Sequence, residues 1–549
     1  MTADMQLVQY MNERCNVLGV DPTNLGIKHL ESLSVILQDK QVVHFSVEHV
    51  RARASVLRLL NCIVRRALPF VSLEEGPGSL GWVVGRLRQL LLTWTKKSLW
   101  EAVLNQTTTP TPLATDEYDD PPQIRMVNIN RIRAAAPKLA LIANEEARVD
   151  ASVFGQLFAE VTKWSDHSLR RAYVGKGHGG QKRAFKVKFL GEGVKDYGGP
   201  YRAVYEQIAD ELENDQEWHD ARMACLLPLF VPSPNRYNST GDVGRDKFVF
   251  NPCPSMKSGS SLKKYGFLGK LVGMAARHGL QMGLDLPTFY WRRLASQQVS
   301  TSHLEEVDKV FLNTMRAIEG VLEEPAEDES AEGMAAALGV ERFLEVALSD
   351  GTIVPVTPGG SDIALDFHNA EVYVREARRL RLDEALPQLE AFRSGLAAVV
   401  PVQLFSLFTE RELEVLICGQ SQMDIGLLKQ CTEYEGVSAN DTHVRFFWEV
   451  LEEMTAEQRT EFLRFAWARS RLPDSAADMP MNFKITAPTG GAVTSPDEYL
   501  PTAQTCFFSL ALPRYTAKET MRSKLLYAIK CTLMDNDFRP MAAEGWADV

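Results

Sequence analysis

Apolar side chains recur at helical spacing along most of this chain, and short alternating runs interrupt them at only a few places. Leu57, Leu60, Ile63, Val64 and Ala67 stripe the segment from Val42 to Phe70. Leu87, Leu90, Leu91 and Trp94 stripe the segment from Trp82 to Trp100. Residues 1–104 are therefore predicted to be a helical region whose apolar faces pack into a core. Asn105 to Gln123 breaks the pattern with Thr-Thr-Thr-Pro-Thr-Pro, four acidic residues and two further prolines, too little apolar surface to fold alone. We read 105–150 as an acidic Thr/Pro-rich linker and lead-in.

Strict alternation returns at Ala184 to Leu190, where Phe185, Val187 and Phe189 face one way and Lys186 and Lys188 the other, predicting a strand. The glycine run before it, Gly175 to Gly180, formally fits a dinucleotide-binding fingerprint. That fingerprint follows a strand and opens a helix, whereas this run precedes a strand, so a mobile loop is expected. Asp196-Tyr-Gly198-Gly199-Pro200 then predicts a sharp turn with proline in the first turn of a helix, whose core face is Tyr201, Val204, Tyr205, Ile208 and Leu212. Two strands are expected around Phe230 and Phe248. Leu262 to His278 reads as a helix carrying Gly266, Gly269 and Gly273, each costing about 1 kcal/mol relative to alanine, so another element must approach closely there. Glu323 to Gly333 is expected to be a solvated insertion. Helical spacing resumes at His368 to Leu380 and Leu389 to Val400.

In the last quarter, Val444, Phe447, Trp448, Leu451 and Met454 stripe one helix, and Thr455-Ala-Glu-Gln458 is a capping box that opens a second. Phe483 to Ile485 predicts a strand and Thr489 to Ser495 a flexible loop. Pro501 stiffens the approach to Cys506, and Phe507 to Leu512 predicts a strand stopped by Pro513. Thr516-Ala-Lys-Glu519 is a second capping box, ahead of a helix striped by Met521, Leu525, Ile529 and Leu533.

The formal charge of −11 over 549 residues argues against nucleic acid or an anionic membrane as the main partner. The most apolar window, Leu396 to Phe408, is interrupted by Pro401 and Gln403 and is too short to cross a bilayer, so no membrane insertion is expected. The eight cysteines show no Cys-x-x-Cys or Cys-His spacing, which indicates neither a disulfide framework nor a metal site. The first twenty residues carry polar and charged groups where a secretory signal would be apolar. A reducing compartment, cytoplasmic or nuclear, is expected, and a working thiol survives there.

The stretch Leu500-Pro-Thr-Ala-Gln-Thr-Cys506-Phe-Phe-Ser-Leu-Ala-Leu-Pro-Arg-Tyr515 resembles the active-site segment of HECT-type ubiquitin ligases, with the HERC-type subgroup the nearest likeness. The turn at Asp196 to Arg202 and the helix Phe267-Leu-Gly-Lys-Leu-Val-Gly-Met-Ala are similar to the opening and the centre of that family's N-terminal lobe. The resemblance implies an α+β, bilobal HECT domain: a mainly helical N-lobe at 151–435, a hinge at 436–442 and a smaller α+β C-lobe at 443–549. A small subdomain at about 304–350 would hold the conjugating enzyme.

It further implies that Cys506 accepts ubiquitin as a thioester from a conjugating enzyme and passes it to lysines of protein substrates, with no cofactor. Thr505 and Trp546 are expected to support the reaction, Thr505 by positioning the loop and Trp546 by docking the tail. Gly436, Val437, Ser438 and Ala439 are expected to form the hinge. Ala203 departs from the glutamate common in the family. Gln504 departs from a histidine found in many members, so no proton transfer is carried over to that position. Two other classes fit parts of the pattern: a catalytically silent adaptor that keeps the shape, and a thiol hydrolase, which would need a histidine base. The family's HERC-type members carry β-propeller repeats, and none is visible in this sequence.

Overall fold

The computed structural model describes residues 3–18, 47–73, 76–111, 124–174, 181–192, 198–214, 225–237, 243–323, 328–467, 469–473 and 475–538. The glycine run at 175–180 and the acidic stretch at 112–123 lie outside the described residues. Helices dominate, small sheets punctuate them, and the architecture is the α+β one expected.

The N-terminal layer holds α1 (Ala3–Leu18), α2 (Val47–Ala67) and α3 (Thr93–Gln106). Leu7, Val8 and Met11 meet Val50, Ala54 and Leu57 in a small core. The other face of the layer is not independent. Val64, Leu68, Trp100 and Leu104 join the main core of the following lobe, where Trp100 packs on Phe405 at 5.9 Å between ring centroids. Lys96, only 1% exposed, pairs with Glu412 at 2.6 Å, and Arg277 donates to the carbonyls of Leu104 and Val399, tying two helix ends together. Leaving either cation without its partners would cost several kcal/mol, at about 3–5 kcal/mol for a broken buried pair.

The expected lead-in is partly structural. Its strand β1 (Met126–Ile129) pairs in parallel with β2 (Lys186–Phe189) and so belongs to the lobe. Between these strands runs α4 (Val153–Val161), and after them α5 (Gly199–Glu213), with Gly198 at φ 113° and Pro200 in its first turn as the spacing predicts. Strands β3 (Phe230–Pro232) and β4 (Phe248–Phe250) form an antiparallel pair, followed by α6 (Gly259–Arg277).

A smaller unit with its own core comprises α7 (Lys309–Glu323), α8 (Ala331–Leu338), the hairpin β5 (Glu345–Ala347) and β6 (Ile353–Pro355), and α9 (Ala370–Asp383). It therefore runs beyond the expected end near residue 350, because Tyr373, Val374 and Ala377 close its core. The expected insertion is helical over α8, where Met334 is buried. The chain then returns through α10 (Leu386–Val399), which lies directly against α6, and α11 (Glu410–Cys418), capped by a Thr409–Glu412 box. The α6–α10 approach is what the glycines permit. An added Cβ on Gly269 would overlap the Phe392 carbonyl, and one on Gly395 would overlap that of Gly266.

The C-terminal lobe contains α12 (Ile425–Gln430), β7 (Thr432–Glu435), α13 (Thr442–Glu453), α14 (Ala456–Trp467), β8 (Phe483–Thr486), β9 (Thr502–Gln504), β10 (Ser509–Ala511) and α15 (Lys518–Phe538). Its sheet runs β7-β8-β10-β9, with only the β10–β9 pair antiparallel. Phe447, Phe462, Trp467, Phe483, Phe508 and Leu510 form the centre of its core.

Candidate active site

Cys506 lies in a single turn, Thr505–Phe507, between the antiparallel partners Gln504 and Ser509. The strand predicted to start at Phe507 starts at Ser509 instead, and the reason is Phe508. Its φ of 46° is a left-handed conformation that costs a non-glycine residue about 1–2 kcal/mol. The kink turns the Phe508 ring fully inward, onto Trp467 at 4.3 Å and nearly parallel, and beside Phe483 at 4.8 Å. Phe507 is left 51% exposed beside the thiol-bearing residue. Burying a phenyl ring is worth about 2–3 kcal/mol, enough to hold the strained backbone.

Around this turn the lobe is braced by polar contacts. The Lys484 amide donates to the Phe508 carbonyl at 2.9 Å, and the Tyr515 hydroxyl donates to the Tyr499 carbonyl at 2.8 Å. The first capping box forms as predicted, with Thr455 and Gln458 exchanging hydrogen bonds at 3.2 Å each. The second does not. Both the amide and the hydroxyl of Thr516 go to Asp497, at 3.0 and 2.6 Å, so a loop carboxylate takes the place of Glu519. The loop predicted at Thr489 to Ser495 contains a short helix, Gly491–Thr494.

An open groove of about 460 Å³ lies on the sheet beside the turn, lined in part by Gln504, Phe507, Glu433, Glu435 and Lys484. The three charged groups satisfy one another, Lys484 reaching Glu435 at 2.7 Å and Glu433 at 3.7 Å.

The other wall of the site comes from the N-lobe. Arg202, in the first turn of α5 and 3% exposed, donates from Nη2 to the Thr505 carbonyl at 3.4 Å. Next to it, the segment after α14 inserts into the N-lobe. Arg469 donates to the Gly279 carbonyl and Gln281 Oε1 at 3.0 and 2.9 Å, the Ser470 amide donates to Glu206 at 3.1 Å, and Arg471 pairs with Asp285 at 2.7 Å. Arg464 adds an ion pair to Asp210 at 2.6 Å. Burial is the main influence on these groups: it raises the Glu206 and Asp210 carboxyls and pushes the Arg469 guanidinium down to about 9.

The predicted site residues fare differently. Thr505 is at the turn, but the contacts recorded for it run through its carbonyl, which accepts from Arg202 and from the Phe508 amide. Trp546 lies outside the described residues. The expected hinge at Gly436 to Ala439 falls inside the C-terminal lobe, because β7, just before it, pairs with β8 over four positions. Met423 and Leu428 also pack in the same C-terminal core. The chain crosses between lobes earlier, after Cys418, where the Gln420 amide meets the Leu472 carbonyl at 3.1 Å. Trp467 and Arg469 had no sequence signal of their own, and Arg202 entered only as the end of the turn that resembles the family's N-lobe: a buried arginine reads in sequence like any surface cation.

Comparison with known proteins follows the same outline. The family model described as HECT-domain (ubiquitin-transferase) matches residues 226–536. The chain is 33% identical over 492 residues to the mouse E3 ubiquitin-protein ligase HERC2, covering 88% of this chain and 9% of that protein. It is 28% identical to the human probable E3 ubiquitin-protein ligase HECTD4 over 96% of this chain and 13% of that protein. To the E3 ubiquitin-protein ligase RSP5 of Chaetomium thermophilum it is 26% identical over 69% of this chain and 42% of that protein. The chain thus spans about a tenth of the length of the first two of these relatives.

Proposed function

The chain belongs to the HECT-domain (ubiquitin-transferase) family, and from that premise we propose that it is a ubiquitin ligase whose nucleophile is Cys506. The Cys506 thiolate attacks the carbonyl carbon of the thioester that joins ubiquitin to a conjugating enzyme. The donor's sulfur leaves, and a like bond replaces a like bond at almost no free-energy cost. A deprotonated lysine of a protein substrate then attacks the new thioester, forms an isopeptide bond and returns the thiol. What the protein supplies is proximity and a thiolate fraction, and no cofactor enters either step.

The observation that carries this reading is the placement of Cys506. It sits on a turn held by the strained, buried Phe508, with the exposed Phe507 on one side and an open groove beside it. The independent core of residues 304–377 supports a separate unit for holding the conjugating enzyme. The crossing near residues 419–424 supports a hinge there, about which the C-terminal lobe would swing between donor and acceptor. On the family resemblance, Trp546 docks during lysine transfer, so deleting 546–549 slows lysine modification more than thioester formation.

The test is a single-turnover reaction with pre-charged conjugating enzyme, read on a non-reducing gel. A thiol-sensitive ubiquitin adduct on the wild type, absent from Cys506→Ala, is the expected result. If folded wild type forms no adduct with several conjugating enzymes, the ligase reading falls and a silent adaptor takes its place.

A further inference from the structure

Helix α2 has two apolar faces. One is buried: Val50, Ala54, Leu57, Val64 and Leu68, the last in the single turn that extends the helix, enter the cores beneath it. The other points outward. Val56, Leu59, Ile63 and, at the end of that same turn, Phe70 are between 55% and 90% exposed. Single exposed apolar side chains are ordinary, but these are not scattered. With the exposed Ala52 and Arg66 they fall at steps of four, three, four, three and four residues, the spacing of a seam between two helices. Val56 and Ile63 at one alternate position and Leu59 at the other are the residue types that favour a two-helix seam.

The helix cannot roll to hide this stripe. Asn61, buried on the inner face, donates to the Leu90 carbonyl at 3.1 Å and accepts the Leu92 amide at 2.8 Å. Rotation would break both bonds and bring the inner face out into water.

Charge selects the occupant. Arg51, Arg58 and Arg65 recur every seven residues along one flank of the stripe, and α2 carries five arginines and one glutamate in a chain whose formal charge is −11. Arg53, on the other flank, pairs with Asp4, and Arg65 lies over the Trp94 ring at 4.8 Å. Arg66 stands in the stripe itself, between Ile63 and Phe70. A second copy of α2, parallel and in register, would set Arg66 against Arg66 and bring two basic flanks together. A purely apolar helix would cover Arg66 and leave its charge without an opposite.

We propose that the outer face of α2 is a docking site for an amphipathic helix of another protein, with apolar residues at alternating three- and four-residue steps, acidic flanks and a carboxylate facing Arg66. The Trp100–Phe405 contact and the Lys96–Glu412 pair join the N-terminal layer to the N-lobe, so such a partner is held on a fixed side of that lobe. No contact in this site involves Cys506, and the docking is independent of the chemistry of that thiol.

The experiment measures binding of a fluorescent synthetic helix to the full chain by anisotropy. The probe is about four heptads long, with leucine at the seam positions and glutamate beside them, and a twin carries lysine for glutamate. Wild type is expected to bind the glutamate peptide and not its twin. Leu59→Asp and Ile63→Asp together should weaken binding about tenfold or more, with unchanged melting because both side chains are exposed. Arg66→Glu should weaken the glutamate peptide about fivefold and strengthen the lysine twin. If the paired aspartate variant does not fold, the Arg66→Glu exchange decides alone. Failure of both peptides to bind, or equal binding of the two, overturns the proposal. Cys62, exposed beside the stripe, reports on the location: the bound glutamate peptide should slow its alkylation by iodoacetamide. A Cys62 that is unreactive in the free wild type and reactive in the aspartate variant would show that the chain covers the face itself, which overturns the proposal. A wild-type dimer in sedimentation velocity that Leu59→Asp dissolves would assign the face to a second copy and overturn it equally.

Discussion

Lys97, on the N-terminal helical layer, pairs with Asp478, on the C-terminal lobe, at 2.6 Å. The contact spans the whole N-lobe in sequence and joins the two ends of the molecule that the lobe crossing would move apart. Asp478 also accepts the Ser475 hydroxyl at 2.6 Å, so the carboxylate is held in place for its partner.

Reversing the charge in Lys97→Glu should therefore loosen the C-terminal lobe without unfolding the chain. The pair is partly exposed, and its loss is worth about 1 kcal/mol or less, a few-fold change in local opening. Hydrogen exchange across 475–480 should quicken by that factor, and a second reversal, Asp478→Lys, should restore the slow rate. Unchanged exchange in the single variant would mean that the N-terminal layer exerts no hold on that lobe.

The glycine contacts between α6 and α10 make a sharper prediction about stability. Gly269→Ala and Gly395→Ala each place a methyl group into a backbone carbonyl of the facing helix, so each should cost about 2–4 kcal/mol. Gly320→Ala, in α7 with open space around it, should instead gain about 0.5–1 kcal/mol from helix propensity alone. Urea denaturation of the three variants measures the contrast, and equal effects would refute the close-approach explanation.

That helix contact was legible in the sequence because glycine inside a helix is costly and needs a reason. The helical stripes, the β2 alternation and the Thr455 box were legible for similar local reasons. The lobe boundary was not. Gly436 to Asn440 has turn chemistry, but whether a turn joins two lobes or two elements of one sheet depends on where β7 pairs, and that is a tertiary fact. In the same way Asp497 displaces Glu519 from Thr516 because of where its loop folds. Cys506 could be singled out by resemblance, whereas the arginines behind its turn are visible only once two distant segments meet.

A dependence of stability on pH follows from Glu211. Its carboxylate accepts the amides of Val153 and Phe154 at the start of α4, at 2.8 and 3.0 Å, yet burial dominates and raises its pKa to about 8. The folded state then holds a proton that the unfolded chain releases near the ordinary carboxylate value. This contribution to stability is fully present below that value and is lost as pH rises through about 8. Wild type should accordingly lose stability relative to Glu211→Gln between pH 5 and pH 9 in paired urea titrations. A constant difference across that range would show that the two amide bonds outweigh burial.

Phe508 offers the most direct test of how the turn is built. Most buried phenylalanines lose about 3–5 kcal/mol on truncation to alanine, and truncation to glycine is usually worse because the unfolded chain gains freedom. At φ 46° the order should invert: both variants lose the stacking on Trp467, but glycine removes the left-handed strain that alanine retains. Phe508→Gly is therefore expected to be about 1 kcal/mol more stable than Phe508→Ala. If alanine is the better tolerated of the two, the ring is not holding a strained backbone, and the rigidity of the Cys506 turn needs another source. If the inversion is seen, the Phe508→Gly protein also separates stability from chemistry. It keeps the backbone path around Cys506 but lacks the ring that ties the turn to Trp467, so thioester formation on Cys506 should slow in that variant beyond what its loss of stability explains.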